Sequence, residues 1–251
     1  MATSSSLPQA DGARTVLVTG GSRGIGAGIT HLLSARHRNI ACGYRSNREA
    51  AEKLAADAPE RIEPVHYDSS LPHTADAAVA AALARWGRLD GLILNAGQWH
   101  GGRLDTMDPQ LWWRVIEDNL KGIADLTRAA LPVLGRAPEP SIVLISSVVG
   151  IIGHAGDTAY ASAKAAMTGF ARSLAKEVGR NGIRVNVLAP GFVETDMTAA
   201  VSERARRSIV ERAALGRFGT VEEVARAAVF LSEDAGYCTG AVLTADGGWS
   251  L

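Results

Sequence analysis

Apolar residues along the chain fall into short β-branched runs that alternate with longer stretches of helical spacing. Thr15-Val-Leu-Val-Thr19 is the first run; glycines end it, and it reads as a buried parallel strand. A helix is predicted from about Gly24 to His37, with Ile25, Ile29, Leu32 and Leu33 on one face. Ile40–Gly43 reads as a second strand and the Ala-rich segment 47–57 as a second helix. The strand signal returns at Ile62–Tyr67, Leu89–Leu94, Ser141–Ser146, Ile183–Leu188 and Ala241–Ala245, with helical patterns between most of them. Asp108-Pro109 marks a helix start, because Asp can cap while Pro fits the first turn without losing a donor. Seven strands separated by helices predict an α/β domain built on one open, doubly wound parallel sheet. Residues 1–13 are small and polar and read as a flexible tail. The remainder, 14–251, reads as a single domain, with no Pro/Gly/Ser linker and no repeat of fixed period.

Composition narrows the class. The 251 residues are 47% hydrophobic, enough for one full-sized core. The 26 basic and 26 acidic side chains cancel, so no global field exists to hold nucleic acid or an anionic membrane. Cys42 and Cys238 are too few and too far apart for a disulfide framework or a metal cage, which makes a reducing cytoplasm the expected compartment. The first residues lack the basic start and apolar stretch of a signal peptide. No apolar run approaches the ~20 residues needed to span a bilayer.

On such sheets, ligands sit beyond the carboxyl ends of the strands. There, Thr19-Gly20-Gly21-Ser22-Arg23-Gly24-Ile25-Gly26 opens directly into the first helix. Glycines let backbone approach a pyrophosphate, and a helix N-terminus offers free N–H groups and partial positive charge. The alternative is an ordinary strand-to-helix turn; the position between first strand and first helix favours a dinucleotide. An NAD site wants a carboxylate about 20 residues further on. That place reads Gly43-Tyr44-Arg45-Ser46-Asn47-Arg48, with no acid before Glu49. Arg23, Arg45 and Ser46 could hold a 2′-phosphate, so NADPH/NADP+ is the expected cofactor; solvated surface arginines are the alternative.

Tyr160-Ala-Ser-Ala-Lys164 lies in a helical stretch, which puts the two polar side chains one turn apart on one face. A nearby ammonium favours tyrosinate and brings proton transfer closer to neutrality. Only four lysines exist, at 53, 121, 164 and 176, though a packed Tyr beside a surface Lys would give the same spacing. Ser147 follows the fifth strand on the ligand side, where it could also close a local turn. Asn119 falls in the middle of a long helix, where its poor propensity needs an explanation.

Taken together, Thr19–Gly26, Asn95-Ala96-Gly97, Asn119, Ser147, Tyr160/Lys164 and Pro190-Gly191 resemble the short-chain dehydrogenase/reductase family, in order, over about Arg14 to Gly248. The resemblance implies a Rossmann fold and a homotetramer. It implies that Tyr160 protonates the carbonyl oxygen as hydride arrives, that Lys164 lowers the tyrosine pKa and holds the nicotinamide ribose, that Ser147 bonds the substrate oxygen, and that Asn119 anchors a proton-relay water. For the cofactor it implies contacts from Gly20, Ser22, Arg23, Gly24, Ile25, Gly26, Tyr44, Arg45, Ser46, Ser69, Asn95, Ala96, Gly97, Pro190, Gly191 and Val193, besides Tyr160 and Lys164. Thr195 would meet the carboxamide. Asp68 would meet the adenine amino group, unless it only caps the turn with Ser69-Ser70. Leu94 departs from the family, which often has Asn there.

Gly43–Asn47, Leu215–Val224 and Ala245-Asp-Gly-Gly248 resemble most the β-ketoacyl-carrier-protein reductases and discrete polyketide ketoreductases. The implied substrate is a small-molecule ketone, free or bound to a carrier protein. Secondary-alcohol, sugar and steroid dehydrogenases share much of the pattern, and a non-catalytic NADP-binding regulator is the remaining alternative. The turn Gly135–Ser141 holds one Arg, one Glu and two prolines, too little positive charge to predict carrier docking. Trp99, Ile152, His154 and Phe192 are the candidate substrate-pocket residues, by position at the mouth, with 192–215 as a lid. The Trp112-Trp113 pair is expected to pack.

Overall fold

The computed structural model describes residues 12–199 and 201–251, so residues 1–11 of the expected tail lie outside the described residues. The chain runs β1 (Thr15–Val18), α1 (Gly24–Ala35), β2 (Asn39–Tyr44), α2 (Arg48–Ala56), β3 (Ile62–His66), α3 (His73–Trp86), β4 (Gly91–Leu94), α4 (Pro109–Leu134) and β5 (Ser141–Ile145). It continues through α5 (Val149–Ile152), α6 (Thr158–Val178), β6 (Arg184–Pro190), α7 (Asp196–Ala199), α8 (Glu203–Arg212), α9 (Val221–Val229) and β7 (Val242–Ala245). The seven strands form one sheet in the order β3-β2-β1-β4-β5-β6-β7, with every pairing parallel.

Alternation along the central strands divides the core in two. Leu17, Leu92, Leu94 and Leu144 point to the face covered by α3, α4 and α6. Val16, Val18, Ile93 and Val143 point to the face covered by α1 and α9. Pro64 is tolerated inside β3 because that strand is at the sheet edge.

Most element ends differ from the sequence reading by one or two residues. Helix α1 stops at Ala35 instead of His37, because His37 takes φ +58° to turn into β2. Strand β6 runs to Pro190 instead of Leu188, since its register with β7 pairs Pro190 with Ala245. Asp108 caps α4 as expected, accepting from the N–H groups of Gln110 and Leu111.

At the amino end of the sheet, away from the ligand edge, Asp90 is almost fully buried. It accepts from the Thr15 N–H at 2.8 Å and is gripped by Arg88 through two bonds. Truncation strands both donors, so Asp90→Ala should cost about 3 kcal/mol in urea unfolding. Its kcat/KM should stay at the wild-type value, because no site residue touches Asp90.

Candidate active site

The switch in strand order between β1 and β4 opens a groove of about 540 Å³ at the carboxyl edge, a volume suited to a small ligand or cofactor. The loop after β1 forms its floor. Gly20 turns at φ +60°. A Cβ on Gly26 would lie 2.0 Å from the Gly20 carbonyl oxygen, so only glycine closes this loop. Helix α1 begins with no side-chain cap and no acid in its first turn, and Ser22, Arg23, Gly24 and Ile25 line the groove. Its first N–H groups therefore remain available to an anion. Asn95 braces the loop, donating from Nδ2 to the carbonyls of Thr19 and Gly20, while Thr19 Oγ1 accepts from the N–H groups of Asn95 and Ala96.

Tyr44, Arg45 and Ser46 extend the groove past β2, and Ser69 and Asn95–Trp99 form its far wall. Arg48 is spent on Glu52 at 2.7 Å, which leaves Arg23 and Arg45 as the basic groups on the lining. Arg45 reaches across to the side-chain amide of Gln98, which satisfies it when the amide oxygen is turned to the guanidinium. Asp68 Oδ1 accepts from the N–H and the hydroxyl of Ser70. Partial burial raises its pKa, but the Ser70 bonds and the Arg45 charge outweigh this and hold the carboxyl below its ordinary range. The turn role considered for Asp68 is thus observed; Ser69, its neighbour, lines the groove. Pro190, Gly191 and Val193 stand behind the lining as backbone supports. The Pro190 carbonyl accepts from Val148 N–H at 2.8 Å, and Gly191 N–H donates to Ala245. Val193 is buried, and Thr195 faces the groove.

Ser147, two residues beyond β5, stands beside Tyr160, on the first turn of α6, and its Oγ accepts from the Val149 N–H at 3.2 Å. Lys164 is buried one turn later, where Nζ donates to the Ile145 carbonyl at 3.0 Å and lies 5.5 Å from the Tyr160 ring centre. Burial and the Asp157 charge push the tyrosine hydroxyl up to about 12, against the Ser147 hydroxyl. Burial alone pulls the Lys164 ammonium down to about 8. At neutral pH the site therefore holds a protonated Tyr160 beside a charged Lys164.

Asn119 is buried and exchanges hydrogen bonds with the Gln98 backbone, Nδ2 to the carbonyl at 2.7 Å and N–H to Oδ1 at 3.3 Å. This accounts for a mid-helix asparagine: it pairs α4 to the loop after β4 as a strand would. A Cβ on Gly97 would stand 2.6 Å from Asn119 Oδ1 and 3.3 Å from Lys164 Nζ, so glycine here leaves room for both polar groups.

At the mouth, Trp99 donates from Nε1 to Asp157 at 2.7 Å, and His154 Nδ1 pairs with the other carboxylate oxygen at 3.0 Å. Ile152 is exposed on α5, and Phe192 packs edge-on against Trp249 at 5.1 Å. Asp157 was not singled out in the sequence; it precedes α6 without making a cap bond and turns to Trp99 instead. Met197, exposed on α7 and part of the groove, carried no signal. The Trp112-Trp113 pair divides: Trp112 donates to Thr158 Oγ1 at 3.0 Å, while Trp113 is 62% exposed.

A glycine-floored groove open to an anion, next to a tyrosine and a buried lysine, suits a nicotinamide-dependent oxidoreductase. The chain belongs to the short-chain dehydrogenase/reductase family. A family model described as enoyl-(acyl carrier protein) reductase matches residues 20–250. The 3-oxoacyl-[acyl-carrier-protein] reductase FabG of Chlamydia muridarum is 39% identical over 239 residues, covering 94% of this chain and 96% of that protein. The protein of the same name from Escherichia coli is 36% identical over 236 residues, with the same coverage. A crystal structure from Brucella melitensis, a short-chain dehydrogenase/reductase described as glucose/ribitol dehydrogenase, superposes with a TM-score of 0.89 at 31% identity, over 97% of this chain and 99% of that one.

Proposed function

We propose that the protein reduces the ketone of a β-ketoacyl thioester, free or carrier-bound, to a secondary alcohol at the expense of NADPH. The observation that carries this reading is the buried Lys164 ammonium 5.5 Å from the Tyr160 ring centre, reached past Gly97 from a groove floored by an uncapped helix. The relatives named as 3-oxoacyl reductases support the substrate class. The exposed apolar side chains around the site, Trp99, Ile151, Ile152 and Met197, favour an acyl or polyketide ketone over a sugar.

NADPH, when bound, supplies the hydride. Gly20, Ser22, Gly24, Ile25 and Gly26 would present backbone to its pyrophosphate, with Tyr44 and Asn95–Gly97 along the ribose and adenine, and Asp68 offering its second oxygen to the adenine amino group. Arg23, Arg45 and Ser46 would take the 2′-phosphate, for which Arg45 exchanges its Gln98 contact. Ser147 and Tyr160 would both donate to the substrate oxygen, and Tyr160 would release its proton as negative charge develops there. Lys164 would stabilise the resulting tyrosinate and hold the nicotinamide ribose. Asn119, already fastened beside Lys164, would anchor the refilling water.

The test is cofactor consumption with acetoacetyl thioester, comparing NADPH with NADH. We expect turnover, and at least a tenfold preference for NADPH that falls to near unity in Arg23→Ala/Arg45→Ala, because charged phosphate contacts are worth about 1.5–3 kcal/mol each. Equal kcat/KM for both cofactors in the wild type would overturn the phosphate assignment. Turnover only of a matching enoyl thioester would replace the ketone with the double bond that the family model's description names. Assembly as a homotetramer, checked by light scattering, and a cytoplasmic setting complete the reading. Cys42 and Cys238 are unpaired, and among the described residues no helix is long and apolar enough to cross a membrane.

A further inference from the structure

Trp99 is half-exposed, yet two contacts fix it in place, each held by its own neighbours. Its Nε1 is spent on Asp157 at 2.7 Å, so the ring cannot turn without stranding that donor. The carboxylate receiving it is itself almost buried and held from the other side by His154 at 3.0 Å. One side of the six-membered ring rests on Gly101, where a Cβ would stand 2.6 Å from Cζ2. A backbone bond from Gly102 N–H to the Gly156 carbonyl, at 2.7 Å, clips the two loops together beside this contact. The open part of the indole belongs to the same groove as Gly97, Thr195 and Met197. Asp157 stands three residues before Tyr160 at the start of α6, so the indole is tied to the element that carries the proton donor.

A flat, immobile aromatic surface at a set offset from a proton donor suits a flat partner. Stacking on it costs no side-chain ordering, and an aromatic pair gains beyond the area it buries, whereas a flexible alkyl chain must freeze its own rotors there. Resting on the ketone-reducing reading above, we propose that Trp99 is the specificity-determining residue of the site. It selects ketones that carry a flat conjugated ring next to the reacting β-dicarbonyl unit over straight-chain ones of similar size.

Two matched probes test this: the ethyl ester of benzoylacetic acid and that of 3-oxohexanoic acid. In the wild type kcat/KM should favour the aryl ketone by about tenfold, the size expected for one ordered aromatic contact. Trp99→Leu keeps apolar bulk but removes the flat face. It should lower the aryl-to-alkyl ratio at least fivefold, through the KM of the aryl ketone. Gly101→Ala pushes the ring off its seat while leaving Trp99 and Asp157 in the chain, and should lower the ratio in the same direction; it also reads the effect if Trp99→Leu does not fold. No aryl preference in the wild type, or a preference that survives both substitutions, overturns the proposal. If neither ester is turned over, the acetoacetyl thioester assay judges the ketone-reducing reading separately, and the platform is read from equilibrium binding of the two probes to NADPH-loaded protein. Tighter aryl binding that Trp99→Leu abolishes would then support it; equal or undetectable binding of both probes would sink it.

Discussion

Tyr160→Phe is expected to lower kcat for ketone reduction by about a thousandfold, the middle of the range for a positioned general acid, while NADPH still binds. The change removes one oxygen. The ring stays packed, and Lys164 Nζ keeps its bond to the Ile145 carbonyl. The groove floor, braced by Asn95 and Thr19, does not depend on the hydroxyl. What disappears is the proton: Ser147, the other hydroxyl at this point, can donate a hydrogen bond, but an aliphatic hydroxyl is a far weaker acid than a phenol. Ser147→Ala should therefore cost less than Tyr160→Phe. Single-turnover loss of NADPH absorbance separates the two, with binding read independently by titration. A Tyr160→Phe enzyme within tenfold of wild type would remove Tyr160 as the acid and leave Ser147 to carry that role.

Much of this site was legible in the sequence because its parts depend on local rules. A glycine loop that opens a helix, and a tyrosine and lysine four residues apart, report their own geometry, so Gly26 and Lys164 stand where spacing put them. The doubly wound parallel sheet followed from the alternation of strand and helix signals; the order of its strands came from the structure. Contacts between distant segments were not legible. Asp157 drew no notice in the sequence, because its side chain leaves the helix start for Trp99, 58 residues away. Asn119 announced an anomaly without its partner, and only the fold brings the Gln98 backbone to it. Arg45 read as a phosphate ligand, but nothing local predicts that it reaches Gln98 across the groove. The bounds of β6 shifted for the same reason, since a partner strand sets how far pairing continues.

Lys164→Met should abolish reduction and stabilise the protein at the same time. The catalytic half follows from charge: without a cation 5.5 Å from the Tyr160 ring centre, the tyrosinate left after proton transfer is unsupported, and kcat should fall about a thousandfold. The stabilising half follows from burial. Lys164 is 4% exposed, and its folded-state pKa lies near 8 against an ordinary 10.5. Below pH 8 the folded protein must hold a buried ammonium that the unfolded chain keeps in water, a cost of about 3 kcal/mol. Between pH 8 and 10.5 the unfolded chain binds more protons than the folded one, so wild-type stability rises with pH and the penalty fades. Methionine has no such penalty but strands the Ile145 carbonyl, which costs about 1 kcal/mol. The burial effect wins: the variant should be about 2 kcal/mol more stable at pH 7, with the advantage gone near pH 10.5, measured by urea unfolding across that range. In the wild type, reduction should weaken as pH rises through about 8 and Lys164 loses its charge, the same titration seen from the active side. A variant equal to or less stable than wild type at pH 7 would mean that Lys164 is neutral in the folded enzyme, and the charge argument for Tyr160 would fall with it.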